Sequence, residues 1–246
     1  MILAILQARM SSSRLPGKVL EPILGRPLIL RTVDRISRAS MLDEIVLATS
    51  VDPSDDPLVE VAERAGVNVR RGSLDDVLSR YLQVAEEIQP STIVRLTGDN
   101  PLTDPAVIDW VVAEHQRTGA DYTSNTIQRT YPRGLDVEAI SVDALRRIGL
   151  KATDAAEREH VTIGIYRRPN EFTLHQVVQA PDRSNMRWTV DVAGDLAFVR
   201  AVFGALYPTN PNFGQDDVIA LLERYPALSR TESQAEVEGS RHSRSR

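Results

Sequence analysis

The chain contains no cysteine. That absence removes disulfides, thiolate nucleophiles and thiolate metal sites together, and it fits a reducing compartment. Its four histidines, His115, His160, His175 and His242, fall at no metal-ligand spacing, so a histidine-based metal centre is not expected. No apolar run is long enough to span a bilayer. The one at the N-terminus, Ile2 to Leu6, has neither a basic segment before it nor a small-residue cleavage site after it, and the expectation is a soluble, cytoplasmic protein without a membrane partner. A broad basic face is also missing. Acids outnumber bases, the formal net charge is −5 and the signs are mixed along most of the chain, which argues against general nucleic-acid binding but leaves a small anionic ligand open. There is no internal repeat. At 246 residues the chain fits one large α/β domain, or a domain with a smaller appendage, whose core needs no covalent staple.

Positive charge is nevertheless set aside in one place. After Ile2–Leu6 comes Gln7-Ala8-Arg9-Met10-Ser11-Ser12-Ser13-Arg14-Leu15-Pro16-Gly17-Lys18-Val19-Leu20, in which Arg9, Arg14 and Lys18 are the only charges, and no carboxylate precedes Glu21. The apolar run reads as a central parallel strand covered on both faces, and the basic, Ser- and Gly-containing loop leaves its carboxyl end. The following segments alternate. A helix is expected after Gly25-Arg26-Pro27, with Ile29, Val33 and Ile36 on one face, and then a strand over Glu44 to Ala48. A helix starts at Ser54-Asp55-Asp56-Pro57, capped by a short oxygen side chain, and Val67 to Arg70 is a third strand. A helix over Leu74 to Ile88 and a strand over Thr92 to Leu96 complete four repeats of the alternation. The pattern predicts an α/β fold with a doubly wound, mostly parallel, Rossmann-like sheet, whose ligand sits outside the strand carboxyl ends where strand order reverses. With strand order 3-2-1-4 the basic loop and the segment after Leu96 face each other across one crevice.

That second segment is Thr97-Gly98-Asp99-Asn100-Pro101-Leu102-Thr103-Asp104-Pro105, followed by a helix from Ala106 to about Gln116. Asp104 before Pro105 is the better helix cap, which leaves Asp99 as a free carboxylate at a strand end, suited to a Mg²⁺ ion bridging to phosphate. From Asp121 to Ala180 the alternation breaks down, as in an inserted arm or small subdomain. A turn into a strand is expected over Tyr131 to Ile140, with Asp136 and Glu138 on one face. Ala155 to Ile163 reads as helix and Phe172 to Gln179 as strand. Arg187 to Val192 reads as a further strand with Trp188, Val190 and Val192 inside and Thr189 and Asp191 opposite. Helices are expected from Gly194-Asp195 to about Leu206 and from Gln215 to about Tyr225. Residues 1–230 thus form the main domain, and the Ser/Arg/Glu-rich stretch 231–246 reads as a disordered tail.

The loop is neither a Walker A motif, since Lys18 is followed by Val19, nor a dinucleotide fingerprint, since Gly-x-Gly-x-x-Gly is absent. The spacing of Arg9, Arg14 and Lys18 fits a loop that wraps a phosphate chain by side chains and backbone N–H groups, or else a solvated surface loop.

The run Gln7 to Lys18 closely resembles the opening signature of the cytidylyltransferases that activate sugars, nearest the spore-coat-polysaccharide cytidylyltransferase family. The resemblance continues through Arg71-Gly72-Ser73-Leu74-Asp75-Asp76-Val77-Leu78-Ser79-Arg80-Tyr81, Arg95-Leu96-Thr97-Gly98-Asp99-Asn100-Pro101-Leu102, Gly134-Leu135-Asp136-Val137-Glu138, Arg158-Glu159-His160-Val161-Thr162 and Arg187-Trp188-Thr189-Val190-Asp191. The resemblance implies Mg²⁺-dependent transfer of CMP from CTP to a sugar or sugar-like small-molecule acceptor, through a hydroxyl, phosphate or phosphonate, with pyrophosphate released, on a nucleotide-diphospho-sugar-transferase-like domain. It implies that Arg14 and Lys18 hold the triphosphate, that Gln7, Ala8, Arg9 and Ser11 approach the nucleotide, and that Arg71, Ser73, Arg80, Thr97 and Gly98 line the nucleoside pocket. Asp99 and Asp191 match the metal carboxylates, with Arg14, Lys18 and Asp99 carrying catalysis. Arg133, Asp136, Glu138, Glu159 and His160 match blocks facing the acceptor, and a homodimer built through residues 121–180 is implied. Asn100 departs from the Gly-Asp-Glu-Pro motif of the ulosonic-acid branch, which leaves the acceptor class open. On this reading, replacing Lys18 or Asp99 by Ala removes activity and leaves the fold intact. Two rival readings are a glycosyltransferase on the same scaffold, which calls for an Asp-x-Asp motif that the chain lacks, and a non-catalytic nucleotide-binding module.

Overall fold

The computed structural model describes residues 1–231, 233–236 and 238. Its centre is a mixed sheet of seven strands: β1 (Ile2–Gln7), β2 (Glu44–Ser50), β3 (Asn68–Gly72), β4 (Thr92–Thr97), β5 (Tyr122–Ser124), β6 (Glu138–Ser141) and β7 (Leu174–Gln176). They lie in the order β3-β2-β1-β4-β6-β5-β7. The first four are parallel and adopt the expected 3-2-1-4 order, while β6 runs antiparallel to β4 and β5. β1 is the switch point: its register sets Gln7 beside Ala48 on one side and beside Thr97 on the other. The chain segments leaving β1 and β4 therefore emerge side by side.

Both faces of β1 are buried, as its unbroken apolar sequence requires. Successive side chains alternate between faces, so Ile2, Ala4 and Leu6 enter one core with α1 (Leu28–Ile36), α4 (Pro105–Thr118), α8 (Ala193–Leu206) and α9 (Gln215–Arg224). Leu3 and Ile5 enter the other with α3 (Val77–Ile88) and α5 (Val142–Lys151). Residues 121–180 share this second core through Tyr122, Ile140, Ile148, Ile165 and Phe172, and their three strands extend the central sheet. In this region α6 covers Ala155–His160 and α7 Ile163–Tyr166. The short helix α2 (Asp56–Arg64) follows β2.

Three expectations are corrected. The helix expected from Leu74 begins at Val77, because Asp76 caps it by accepting from the Ser79 amide at 2.9 Å. The strand expected to open before Asp136 begins at Glu138, so Asp136 precedes the ladder. Arg187 to Val192 is not a strand. Its backbone amides go to separate partners, Trp188 to the Arg133 carbonyl, Val190 to the Asp99 carbonyl and Asp191 to the Asp195 carboxylate, and only an isolated bridge joins Arg133 and Arg187. Trp188, Val190 and Val192 are inside as read from sequence, but Thr189, expected opposite them, is buried too, and Asp191 alone of the two opens to the crevice. Of the stretch expected to be a disordered tail, residues 233–236 and 238 are helical, Ala235 is buried and Arg230 pairs with Glu238 at 2.9 Å. The rest of that expectation lies outside the described residues.

Candidate active site

The basic loop is shaped by its own backbone and by one buried carboxylate. The amides of Ser12 and Gly17 both donate to the Met10 carbonyl, and Gly17 closes the turn with φ +73°, a left-handed conformation that a side chain would strain. The Met10 amide donates at 2.6 Å to Asp55, which is fully buried and also accepts from the Thr49 hydroxyl and from the Ser50 amide and hydroxyl. Burial alone would raise the Asp55 pKa. The Met10 amide and the Ser50 and Thr49 groups outweigh it and hold the carboxyl below its ordinary value. Asp55, read from sequence as part of a helix start, thus ties the loop to the end of β2, while Asp52 accepts from the Ser54 amide as the cap. The amides of Ser11, Ser13 and Arg14 have no hydrogen-bond partner among the described residues and are available to an anion.

The end of β4 meets this loop at close range. The Gly98 amide donates to the Gln7 carbonyl at 2.7 Å, and a β-carbon on Gly98 would lie 2.7 Å from the Ala8 β-carbon and 2.8 Å from Ile29. Only glycine lets the two segments approach this closely. Asp99 follows directly. Its Oδ1 accepts from the Thr97 hydroxyl at 2.7 Å, and that hydroxyl accepts from the Asn100 side-chain amide at 2.9 Å. Asp104, as read from sequence, caps α4 by accepting from the Ala106 amide. The Val190 amide on the Asp99 carbonyl, at 2.8 Å, draws Asp191 to the same crevice.

Lys18 joins these elements. Its ammonium donates to Asp99 Oδ2 at 3.0 Å, to Asp191 Oδ1 at 2.9 Å and to the Val190 carbonyl at 2.6 Å, and the residue is 7% exposed. Burial alone would depress the Lys18 pKa, but Asp99 and Asp191 outweigh it and hold the ammonium above the usual lysine value. Asp191 is likewise held below the usual carboxylate range: burial opposes ionisation, and Lys18, Arg14 and Arg187 overcome it. Arg14 reaches Asp191 Oδ2 at 3.1 Å with a half-exposed side chain, and Arg187 reaches the same oxygen at 2.6 Å from the core. Two carboxylates from distant parts of the chain therefore converge on one cation. Oxygen donors of this kind, without nitrogen or sulfur, suit a hard ion such as Mg²⁺, which takes one or two protein carboxylates and completes its shell with water and phosphate oxygens. Among the described residues no group of three or more His, Cys, Asp or Glu side chains gathers to hold a metal, so the remaining ligands would come from substrate and solvent.

A cavity of about 390 Å³ opens over this cluster. Gln7, Ala8, Arg9, Ser11, Arg14 and Lys18 line it from the loop, and Thr97, Gly98, Asp99 and Asp191 from the opposite side. Glu159 and His160, matched from sequence to the acceptor, instead sit on the rim of this cavity, where Glu159 approaches Arg9 at 4.0 Å. Arg71, Ser73 and Arg80 are not brought into it. Arg71 donates to the Ser50 and Asp52 carbonyls and pairs with Asp56. The buried Arg80 donates to the Ser73 and Leu74 carbonyls, and the Ser73 hydroxyl accepts from the Asp76 amide. All three brace the turn beside the cavity.

A second cavity of about 460 Å³ adjoins the first, sharing Arg95 and Thr97 with it. Asp136 and Glu138, which the sequence match sets toward the acceptor, line it, whereas Arg133 is exposed and uses its backbone to hold Met186 and Trp188. Arg95 was not singled out from sequence. It stands opposite Glu138 across the β4–β6 ladder and forms an ion pair with it. Arg129, also missed, grips Asp136 with both arms of its guanidinium at 2.5 and 2.8 Å. An arginine inside the apolar strand Ile93-Val94-Arg95-Leu96 was the available signal for the first; nothing marks the second.

Comparison with known proteins places this site in context. A family model described as cytidylyltransferase matches residues 3–202. The spore coat polysaccharide biosynthesis protein SpsF of Bacillus subtilis is 35% identical over 243 residues, covering 96% of this chain and 99% of that protein. The structure of a cytidylyltransferase from Leptospira borgpetersenii superposes with a TM-score of 0.87 at 29% identity, over 92% of this chain and 95% of that one. A CMP:2-keto-3-deoxy-manno-octonic acid synthetase solved with CTP shares the fold, with a TM-score of 0.65 at 18% identity over 82% and 98% of the two chains. Among the described residues no helix is long and apolar enough to cross a membrane.

Proposed function

From the premise that this chain belongs to the cytidylyltransferase family and is a nucleotidyltransferase, we propose that it transfers CMP from CTP to a sugar or sugar-like acceptor, in a Mg²⁺-dependent reaction that releases pyrophosphate. The observation that carries the reading is the convergence of Asp99 and Asp191 on the Lys18 ammonium at the mouth of a loop with unpaired amides.

In-line attack on the α-phosphorus leaves little covalent work to the protein, so positioning and charge stabilisation carry the rate. The free Ser11, Ser13 and Arg14 amides receive phosphate oxygens. Arg14, half exposed and tied among the described residues only to Asp191, turns onto the departing pyrophosphate. Lys18 holds the two carboxylates at a common point and places a fixed positive charge under the triphosphate. Asp99 and Asp191 would hold Mg²⁺, whose charge, when bound, stabilises the phosphate oxygens of the transition state. The Asn100–Thr97 relay keeps Asp99 oriented, and Asp55 keeps the loop closed over its ligand. Gln7, Ala8 and Gly98 form the floor on which the nucleotide rests. The acceptor enters from the second cavity, past Arg95 and Thr97.

The same proposal includes a cytoplasmic homodimer, for which light scattering should give twice the chain's 27.3 kDa. The activity is tested by screening CTP, UTP, ATP and GTP with Mg²⁺ against a broad acceptor panel and reading pyrophosphate. CTP-selective, acceptor-dependent release supports the assignment; release with every nucleotide except CTP, or none with any, refutes it.

A further inference from the structure

Asp191 reaches the crevice from a segment that is neither strand nor helix, so its direction is set by contacts from outside that segment. Behind it lies a line of buried charges. Asp195, 1% exposed and in the first turn of α8, accepts with one oxygen from the Asp191 amide at 2.9 Å and from the Val192 amide at 3.2 Å. The same oxygen faces Arg187 at 3.3 Å, and Arg187 donates to Asp191 Oδ2 at 2.6 Å. Asp195 therefore holds Asp191 by its backbone and, through Arg187, by its side chain. The other Asp195 oxygen accepts from Arg230 Nε at 3.3 Å and Nη2 at 3.1 Å. The Arg230 carbonyl accepts from the Arg187 amide at 3.0 Å, and its guanidinium donates to both oxygens of Glu238 at 2.9 and 3.2 Å. Glu238, Arg230, Asp195, Arg187 and Asp191 thus alternate in sign from the helical segment after residue 232 to the crevice.

Capping of α8 accounts for only one of these contacts. An acid at this position accepts from the amide that opens the helix, here that of Val192. A surface carboxylate would do the same without the desolvation cost of lying buried between two guanidiniums. The contacts to Asp191, Arg187 and Arg230 have a different use. Asp99 and Asp191 by themselves face Lys18, Arg14 and Arg187, two carboxylates against three cations, a balance that disfavours a divalent ion. Asp195 adds a third carboxylate from the core side, shares Arg187, and leaves Asp191 free to serve the crevice. We infer that Asp195 is a positioning residue for Asp191: it sets the direction of that carboxylate and balances Arg187 so that the crevice accepts a divalent cation. Arg230 and Glu238 hold Asp195 in turn. The inference rests on the reading of Asp191 as a Mg²⁺ carboxylate.

The test compares the full chain with two variants. Asp195→Asn keeps an acceptor for the Asp191 amide but removes the charge that faces Arg187 and Arg230. Combining it with Arg230→Met removes both buried charges, which should recover stability that the single variant loses. Three quantities are read: the half-saturating Mg²⁺ of pyrophosphate release, the melting-point gain that Mg²⁺ adds in the presence of CTP, and CTP affinity by calorimetry in EDTA. Both variants should need at least about 10-fold more Mg²⁺ and lose most of the melting gain, while metal-free CTP affinity stays within about 2-fold of wild type. The double variant should melt closer to wild type yet respond to Mg²⁺ no better than the single one. A Mg²⁺ response that is unchanged in a folded variant, that recovers together with stability, or whose loss is matched by an equal loss of metal-free CTP affinity overturns the inference alone and leaves Asp195 a helix cap. A wild type that gains nothing from Mg²⁺ in the presence of CTP overturns the reading of Asp191 and the inference with it.

Discussion

Replacing Lys18 by Ala separates its structural and chemical roles. The sequence reading expects the fold to be indifferent to this change, but the side chain is buried and bridges two carboxylates. Removing one member of a buried ion pair costs about 3–5 kcal/mol. Here Asp99 and Asp191 retain 29% and 17% side-chain exposure, and Arg14 and Arg187 still face Asp191, so the expected cost falls to about 2–3 kcal/mol. For a chain of this size that is a melting-point loss of roughly 4–12 °C. Lys18→Met, which keeps the apolar stem, should lose nearly as much if charge dominates. The loss also has a defined pH window. Asp191, held below its ordinary value of 3.8, stabilises the fold at pH above that value and ceases to as pH falls through its lowered pKa. Lys18, held above 10.5, stabilises below that value and ceases to as pH rises through its raised pKa. The difference between wild type and variant should be flat between those limits and shrink outside them. Because the two carboxylates then repel each other, Mg²⁺ should raise the melting point of Lys18→Ala more than that of the wild type. Pyrophosphate release should fall by about 100- to 1000-fold. A variant that melts with the wild type across pH, gains nothing extra from Mg²⁺, or keeps its rate would refute the reasoning.

Arg14→Ala removes a half-exposed partner of Asp191, so calorimetric melting should change by less than about 0.5 kcal/mol while pyrophosphate release drops about 100-fold. Asp55→Asn sets an amide against the donors that the carboxylate now accepts. It should cost about 1–3 kcal/mol by denaturant titration and raise KM for CTP, with the stability gap closing as pH falls below about 3.8 and the wild-type carboxyl protonates. Gly98→Ala forces a methyl against Ala8 and Ile29, so a loss of about 1–3 kcal/mol and weaker CTP binding by calorimetry are expected.

The core of the site was readable because it depends on few inferences. An unbroken apolar run predicts a central strand, the alternation of segments predicts that β1 and β4 are neighbours, and their carboxyl ends then bring Lys18 and Asp99 together. Asp191 joined them through the matching sequence block. Its supporting segment was misread as a strand, because inside-outside alternation looks the same whether the backbone bonds to one ladder or to several separate partners. Asp55 was hidden by its surroundings. In Ser54-Asp55-Asp56-Pro57 an acid is what a helix start calls for, and only the folded turn shows it pointing inward to Met10. The Arg95–Glu138 pair depends on the antiparallel register of β6 against β4, which no periodicity encodes, and the Arg129–Asp136 clasp depends on the irregular path before that strand. Arg71 and Arg80 matched a family block; in the fold Arg71 donates to backbone carbonyls and pairs with Asp56, and Arg80 donates to the carbonyls of its own turn.

The most direct measurement follows radioactive phosphate from α-labelled CTP into an acceptor product, with wild type and Asp99→Asn compared at saturating Mg²⁺. Acceptor-dependent label transfer is expected of the wild type, with a fall of at least about 100-fold in Asp99→Asn, a variant that loses one partner of Lys18 and melts lower but still folds in a single transition. Equal transfer by both proteins, or label that leaves CTP only as free CMP whatever the acceptor, would contradict the CMP-transfer reading.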